Sequence, residues 1–198
     1  MENNPMAIPT DAATDLLPYY SLARQGKVFT GNVAAAGVVL PIYSGTTQQI
    51  GLWNPVGSGI DVILLKLALT YIDSTGAAGG YVLGYLANAP AAVGTGLAIT
   101  AFTETAAVSN YPGGGYSALA KFGQGATLTV TAPAIKRHLA LNQNAFTAAG
   151  TGQMAYRNEI TFDGEEVLTP GTAIFVAGNI ATLAKYSGSL IWAEVSRV

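Results

Sequence analysis

Gln49–Pro90, QIGLWNPVGSGIDVILLKLALTYIDSTGAAGGYVLGYLANAP, decides the fold: three apolar, strand-like runs separated by two glycine-containing breaks. The first run, Gln49 to Trp53, stops at Asn54-Pro55. Proline fixes its own φ and holds the residue before it extended, so a turn follows across Pro55 to Gly59. The second run, Ile60 to Ile72, is the longest apolar segment of the chain. Its odd positions Ile63, Leu65, Leu67, Leu69 and Tyr71 form one continuous apolar face, while the even set carries Lys66 and Thr70. A strand with one apolar face and a mostly apolar second face belongs in the middle of a sandwich. Leu-Leu-Lys-Leu-Ala-Leu also suits a helix, and periodicity alone does not exclude one. The β-branched and aromatic ends and the glycines on both sides favour a strand. The third run, Tyr81 to Leu86, closes a hairpin over the small-residue loop Asp73 to Gly80. Trp53 and Leu65 are expected in the core.

Composition sets the class. At 198 residues the chain fits one domain, since all-β sandwiches reach this size undivided. Half the residues are hydrophobic and 10% are charged, against roughly 25% in ordinary soluble domains. So little charge implies that partner subunits cover much of the surface. A net charge of -2, with no Lys/Arg stripe, argues against nucleic acid as a partner. With no cysteine there is neither a disulfide framework nor a thiolate site. The acidic start, MENNPMAIPTDAATD, lacks the basic and apolar regions of a signal peptide. The uncharged windows never reach the roughly 18 consecutive apolar residues that a spanning helix needs, so a soluble protein is expected, not one in a membrane.

Outside the central stretch, residues 1–26 form an N-terminal arm and residues 27–198 a single β-sandwich domain. Pro5, Pro9 and Pro18 preclude a long helix in the arm, although Asp11 to Leu17 allows one or two turns. Leu16, Leu17, Tyr19, Tyr20 and Leu22 are too apolar for a free tail. They pack on their own domain or dock onto a neighbouring subunit. Short strands are expected at Lys27–Val33, Gly37–Tyr43, Leu97–Glu104, Ala126–Ala132, Thr172–Ala177 and Ser189–Val195. Ala134–Phe146 reads as a short helix or an irregular crossover. Tyr156–Phe162 and Glu165–Leu168 flank Asp163-Gly164, a hairpin signal. In the loop Ser109–Ala118, SNYPGGGYSA, Tyr111 and Tyr116 bracket Pro112 and three glycines. It reads either as a contact tip, where aromatics supply area at low entropy cost, or as a turn with its tyrosines folded back.

Candidate chemistry is sparse. His138 is the only histidine, beside Lys136 and Arg137, and one histidine cannot build a multi-histidine metal site. No nucleophile elbow, phosphate-binding loop, zinc-protease motif or EF-hand loop is present. Asp163, Glu165 and Glu166 make the only carboxylate cluster. Such a group suits calcium or a glycosidase-type pair. Alternation sends Glu165 and Glu166 to opposite faces, which favours a solvated hairpin tip. No catalytic residue, metal ligand or cofactor is assigned, and the chain is read as not an enzyme.

One segment carries a resemblance. Leu52-Trp53-Asn54-Pro55-x-Gly57-Ser58-Gly59, followed by an apolar strand and a Gly/Ala-rich loop, resembles accessory virion proteins of tailed bacteriophages, the head decoration, cement and head-fibre base proteins. It covers about the middle quarter of the chain. The resemblance implies a non-enzymatic, jelly-roll-like β-sandwich, with which the extended N-terminal arm and the scarce charge are compatible. It implies a homotrimer or other symmetric oligomer bound to the major capsid protein or other virion proteins at the head surface of the phage particle. The residues themselves place the expected assembly contacts, at Leu16, Leu17, Tyr19 and Tyr20 of the arm and Tyr111 and Tyr116 of the loop. The alternative is a carbohydrate- or receptor-binding module of a phage fibre or tail that uses the tyrosine-bearing loop.

Overall fold

The structure, a computed structural model, describes residues 19–73, 79–86, 99–113, 115–128, 134–143, 157–181 and 184–197. After a one-turn helix, α1 (Tyr20–Arg24), the regular structure of the described chain is all strand, in two antiparallel sheets packed as a sandwich. The first sheet runs β11 (Arg157–Thr161), β5 (Ile60–Asp73), β14 (Lys185–Ser196), β1 (Val28–Asn32), β8 (Val108–Ser109). In it, β12 (Val167–Leu168) also pairs with β5, and β2 (Val38–Val39) with β14. The second runs β10 (Ala134–Gln143), β6 (Gly79–Leu86), β13 (Thr172–Gly178), β4 (Ile50–Asn54), β9 (Lys121–Leu128), β3 (Thr47–Gln48), with β7 (Ile99–Glu104) on β9.

The main strands pair in a nested order: β1 with β14, β4 with β13, β5 with β11, and β6 with β10. First meets last and the innermost two meet each other, as in a long hairpin rolled over so that its strands fall into two layers. The expected β5–β6 hairpin therefore does not form. Both edges of β5 are occupied, by β14 on one side and by β11 and β12 on the other, and β6 crosses to the second sheet.

Between the layers lies one core. Phe29, Leu64, Leu67, Leu69, Tyr186, Leu190 and Trp192 of the first sheet meet Ile50, Leu52, Tyr81, Leu83, Phe122 and Ile174 of the second. Burying each such side chain contributes about 1.5–3 kcal/mol. Phe122 stacks on Trp192, with ring centroids 6.2 Å apart. Gly31 makes room for it: a Cβ there would lie 2.3 Å from the Phe122 ring.

The apolar face of β5 is not the continuous odd set. Ile60, Val62 and Leu64 face inward, then Leu67 and Leu69 do, because the pairing with β14 shifts between Leu64↔Trp192 and Lys66↔Ile191. Leu65 is the extra residue of a β-bulge, and it turns outward to join Val28 and Ala193 on the outer face. The partner strand answers the same irregularity. Phe162 N–H donates to Leu65 O and Leu64 N–H to Glu166 O, both at 2.9 Å, with Asp163, Gly164 and Glu165 between them pinched out. Asp163 and Gly164 do form the expected turn, with φ of 48° and 82°. Their flanks β11 and β12 pair in line along β5, not with each other, so the expected hairpin is absent. Trp53 is also displaced from expectation: it is half-buried on the outer face of the second sheet, against Leu128 and Phe175. The expected strand at Gly37–Tyr43 shrinks to Val38–Val39.

Ala134–Gln143 is a strand, not a helix or crossover, and pairs antiparallel with β6. The β6 edge would otherwise leave its N–H and C=O groups without partners, and Leu139 gains a core position. No helix among the described residues is long and apolar enough to cross a membrane.

Candidate functional site

The segment 105–120 is an excursion between β7 and β9, and it carries no charged residue. Its first half is tied to β1. β8 pairs with Phe29 and Thr30, Asn110 N–H donates to Val28 O at 2.8 Å, and the Thr30 hydroxyl donates to Asn110 Oδ1 at 2.7 Å. Its second half is held by Glu194 of β14, a carboxylate only 6% exposed. Glu194 accepts from Leu119 N–H at 3.1 and 3.0 Å, from Ala120 N–H at 2.9 Å and from the Trp192 indole N–H at 3.2 Å. A buried carboxylate that receives several N–H groups is a strong anchor, because charge-assisted bonds exceed neutral ones.

Between these anchors the chain turns through Gly113 and Gly115, at φ of 81° and 67°. This lifts Tyr111 and Tyr116 to the surface, 45% and 48% exposed, with ring centroids 6.4 Å apart and planes at 52°. Tyr116 lies flat on Gly26, where a Cβ would come within 1.9 Å of its Cδ2. Both tyrosines are thus about half exposed, Tyr116 with one ring face resting on Gly26 and Tyr111 beside it. Val108 and Leu119, on the same excursion, are also exposed.

The described end of the N-terminal segment packs on its own sandwich. Tyr19, Leu22 and Ala23 pack over Val28, Leu65 and Ala193 on the outer face of the first sheet. Burial raises the Tyr19 phenol above its ordinary value, and the nearby Asp163 adds to the rise. Tyr20 faces solvent, with Arg24 over its ring at 5.8 Å. Leu16 and Leu17 lie outside the described residues.

Two of the three cluster carboxylates are engaged in ion pairs. Glu165 meets Arg137 at 2.6 Å, and Glu166, 6% exposed, meets Lys136 at 2.8 Å. Glu166 is therefore not part of a solvated tip, which corrects the sequence reading. The burial that its place beside β5, just before β12, imposes is compensated by a cation reaching in from β10. Arg137 also lies over the Phe162 ring and Lys136 over Tyr85. His138 is exposed on β10, opposite Val82. Among the described residues, no group of three or more His, Asp or Glu could hold a metal ion.

The L-W-N-P-x-G-S-G segment carries its own device. Asn54 is fully buried, and its amide donates to Ile60 O and to Leu168 O, both at 2.9 Å. Its Oδ1 accepts from the Ser58 hydroxyl at 2.6 Å. Gly57 and Gly59, at φ of 78° and 71°, supply the left-handed positions of the turn. One side chain thus ties the end of β4 in the second sheet to β5 and β12 in the first.

Sequence reasoning missed Glu194 and Asn54. For each the signal was a polar residue inside an apolar strand, which has to find partners when buried. The partners, 74–75 and 114 positions away in the chain, were not readable. Comparison of the chain with protein-family models, with curated proteins and with solved structures gives no match.

Proposed function

We propose that the chain is a non-enzymatic structural protein of a tailed-bacteriophage particle, a jelly roll that decorates or cements the capsid as a homo-oligomer, with a trimer favoured. The observation that carries this reading is the work of the L-W-N-P-x-G-S-G segment. The residues that resemble accessory virion proteins build the sheet-to-sheet crossover of a nested, rolled-hairpin sandwich. The resemblance is thus one of architecture and brings no catalytic residue with it. The pairing of Glu165 and Glu166 with Arg137 and Lys136 fits the same reading, since no convergent carboxylate pair is left there for hydrolysis. Scarce charge fits a protein whose surface is covered in an assembly.

In this reading residues 1–18 are the capsid-binding arm, while α1 is a local anchor that joins the arm to the sandwich. Binding of purified protein to phage heads lacking it, with and without residues 1–18, tests the role. Truncation should leave a folded sandwich that binds heads weakly or not at all. Undiminished binding by the truncated chain rejects the arm, and a monomer by light scattering at micromolar concentration rejects the oligomer. A second reading, a carbohydrate- or receptor-binding module of a fibre or tail, is favoured by one observation, the exposed Tyr111–Tyr116 pair.

A further inference from the structure

We propose that Tyr111 and Tyr116 form a binding site for a neutral saccharide, a pyranose ring stacked against the tilted tyrosine pair with hydrogen bonds from the same loop. The proposal takes its loop from the second reading above, but it does not depend on where in a particle the chain sits.

Presentation is the first argument. An aromatic side chain normally folds down over apolar surface, yet both rings stand nearly half exposed. Their support is built on both sides: β8 on β1 before the pair, and the Glu194 carboxylate on Leu119 and Ala120 N–H after it. A ring fixed before binding loses little entropy on binding, which is why tyrosine suits recognition surfaces. The close seat of Tyr116 on Gly26 fixes that ring in particular.

Ligand chemistry is the second argument. Sixteen consecutive residues, 105–120, carry no charge, so the loop itself offers nothing to a phosphate, a sulfate or a carboxylate. What it offers is two π faces at 6.4 Å and 52°, which suit the C–H face of a sugar ring. Hydroxyl and amide groups lie beside them. The Ser109 hydroxyl already accepts from Tyr111 N–H at 3.2 Å, which leaves its own O–H to donate. The oxygen of exposed Asn110 is occupied by Thr30, which leaves its amide N–H groups for a ligand. A few polar groups around an apolar face is the usual make-up of a small-ligand site. A protein partner is the less favoured occupant: an ordinary interface takes about 20–30 residues a side, and this loop adds only Val108 and Leu119 as exposed aliphatics.

The test uses the full-length chain and soluble neutral oligosaccharides (gluco-, manno-, galacto- and N-acetylhexosamine series), with sialylated and sulfated glycans as the charged counterpart. Saturation-transfer NMR and a glycan array provide the readouts. At least one neutral series should bind without salt dependence, with saturation passing from the tyrosine ring protons to the sugar. Tyr111→Ala should weaken that binding about tenfold, roughly the loss of one aromatic contact, and Tyr111→Phe should keep it within about threefold. Tyr111 makes the decisive variant because, unlike Tyr116, it is not seated on Gly26; an unchanged melting midpoint confirms its fold. Absence of any neutral glycan binding, binding confined to charged glycans, or unchanged binding by Tyr111→Ala would overturn the proposal. Loss of head binding by Tyr111→Ala, with no sugar bound by the wild type, would assign the pair to a protein contact. Loss of sugar binding with head binding intact would support the saccharide site independently of the decoration reading.

Discussion

Replacing Asn54 by alanine removes three side-chain hydrogen bonds at a fully buried position: two donated at 2.9 Å, to Ile60 O and Leu168 O, and one accepted from Ser58 at 2.6 Å. A made hydrogen bond contributes only about 1 kcal/mol net, but a buried group left without its partner costs roughly 1–3 kcal/mol. Two carbonyls lose a donor in one step, so Asn54→Ala should cost about 3–5 kcal/mol. That is a large part of the roughly 5–15 kcal/mol by which a domain is stable. With a urea slope near 2 kcal/mol per molar, the unfolding midpoint should fall by about 2 M. Ser58→Ala removes only the partly buried third bond and should cost about 1 kcal/mol. In the double variant that bond is already gone, so the two costs should fall short of additivity by about the same amount. Asn54→Asp makes a sharper control: its oxygens still accept from Ser58, but nothing can donate to the two carbonyls. A midpoint for Asn54→Ala within about 0.5 M of wild type, or full additivity with Ser58→Ala, would refute the clamp and with it the architectural reading of the segment.

Leu64→Ala should cost about 2–5 kcal/mol, since Leu64 lies between the sheets. Leu65→Ala should cost less and become nearly neutral in a chain lacking residues 1–26, because α1 is what covers Leu65; equal costs in both backgrounds, by urea unfolding, would place the bulge elsewhere. Glu194→Gln keeps an acceptor but loses the charge and should cost about 1–3 kcal/mol, with faster amide exchange at Leu119 and Ala120; unaltered exchange at those two amides would show that the carboxylate is not their anchor. Burial, with a hydrogen bond to Tyr186, pushes the Tyr81 phenol well above its ordinary value near 10. The stability this protonated phenol contributes is intact below that value and is lost as pH rises above it, so unfolding free energy should fall only in that alkaline range. A spectrophotometric titration in which all ten tyrosines ionise normally with the fold intact would contradict this.

The sequence made the punctuation legible and the partners illegible. Asn54-Pro55 and Asp163-Gly164 announced turns, and both occur, because proline and positive-φ positions act within a few residues. In β14, Leu190 and Trp192 alternate with Ile191 and Ala193, and the two sets do take opposite faces, the first inward and the second outward, as a period of two requires. In β5 the pattern fails, since Ile63-Leu64-Leu65 is apolar at every position and a period of two cannot locate an inserted residue. The hairpins at Tyr81 and at Asp163 failed for another reason. A turn brings two strands back towards each other, but which edge each then occupies depends on partners such as β13 and β14, about 90 to 135 residues away. The tyrosine loop was legible as a loop with aromatics; its rigidity was not, because it depends on Gly26 and Glu194.

Those long-range ties also explain why an exposed aromatic loop can be stiff. A two-layer sandwich has two open sides where the sheet edges end. On one, β10 and the segment between β11 and β12 are joined by Lys136–Glu166 and Arg137–Glu165, charged groups that reach from one sheet to the other. On the other, the 105–120 excursion crosses between the sheets, giving β8 to the β1 edge and leading into β9 on β4. Ion pairs alone would close this second side weakly, since partly exposed pairs contribute little. Here the buried Glu194 takes backbone N–H groups, and Phe122 lies over Gly31 against Trp192, so the closure is continuous with the core. The two ends of the excursion cannot move without breaking the β8–β1 pairing or stranding the Glu194 carboxylate, and either costs more than thermal motion supplies. Tyr111 and Tyr116 are therefore held between two ends tied to the sandwich, with Tyr116 seated on Gly26 as well, and such fixing is what a surface aromatic pair needs in order to recognise a ligand.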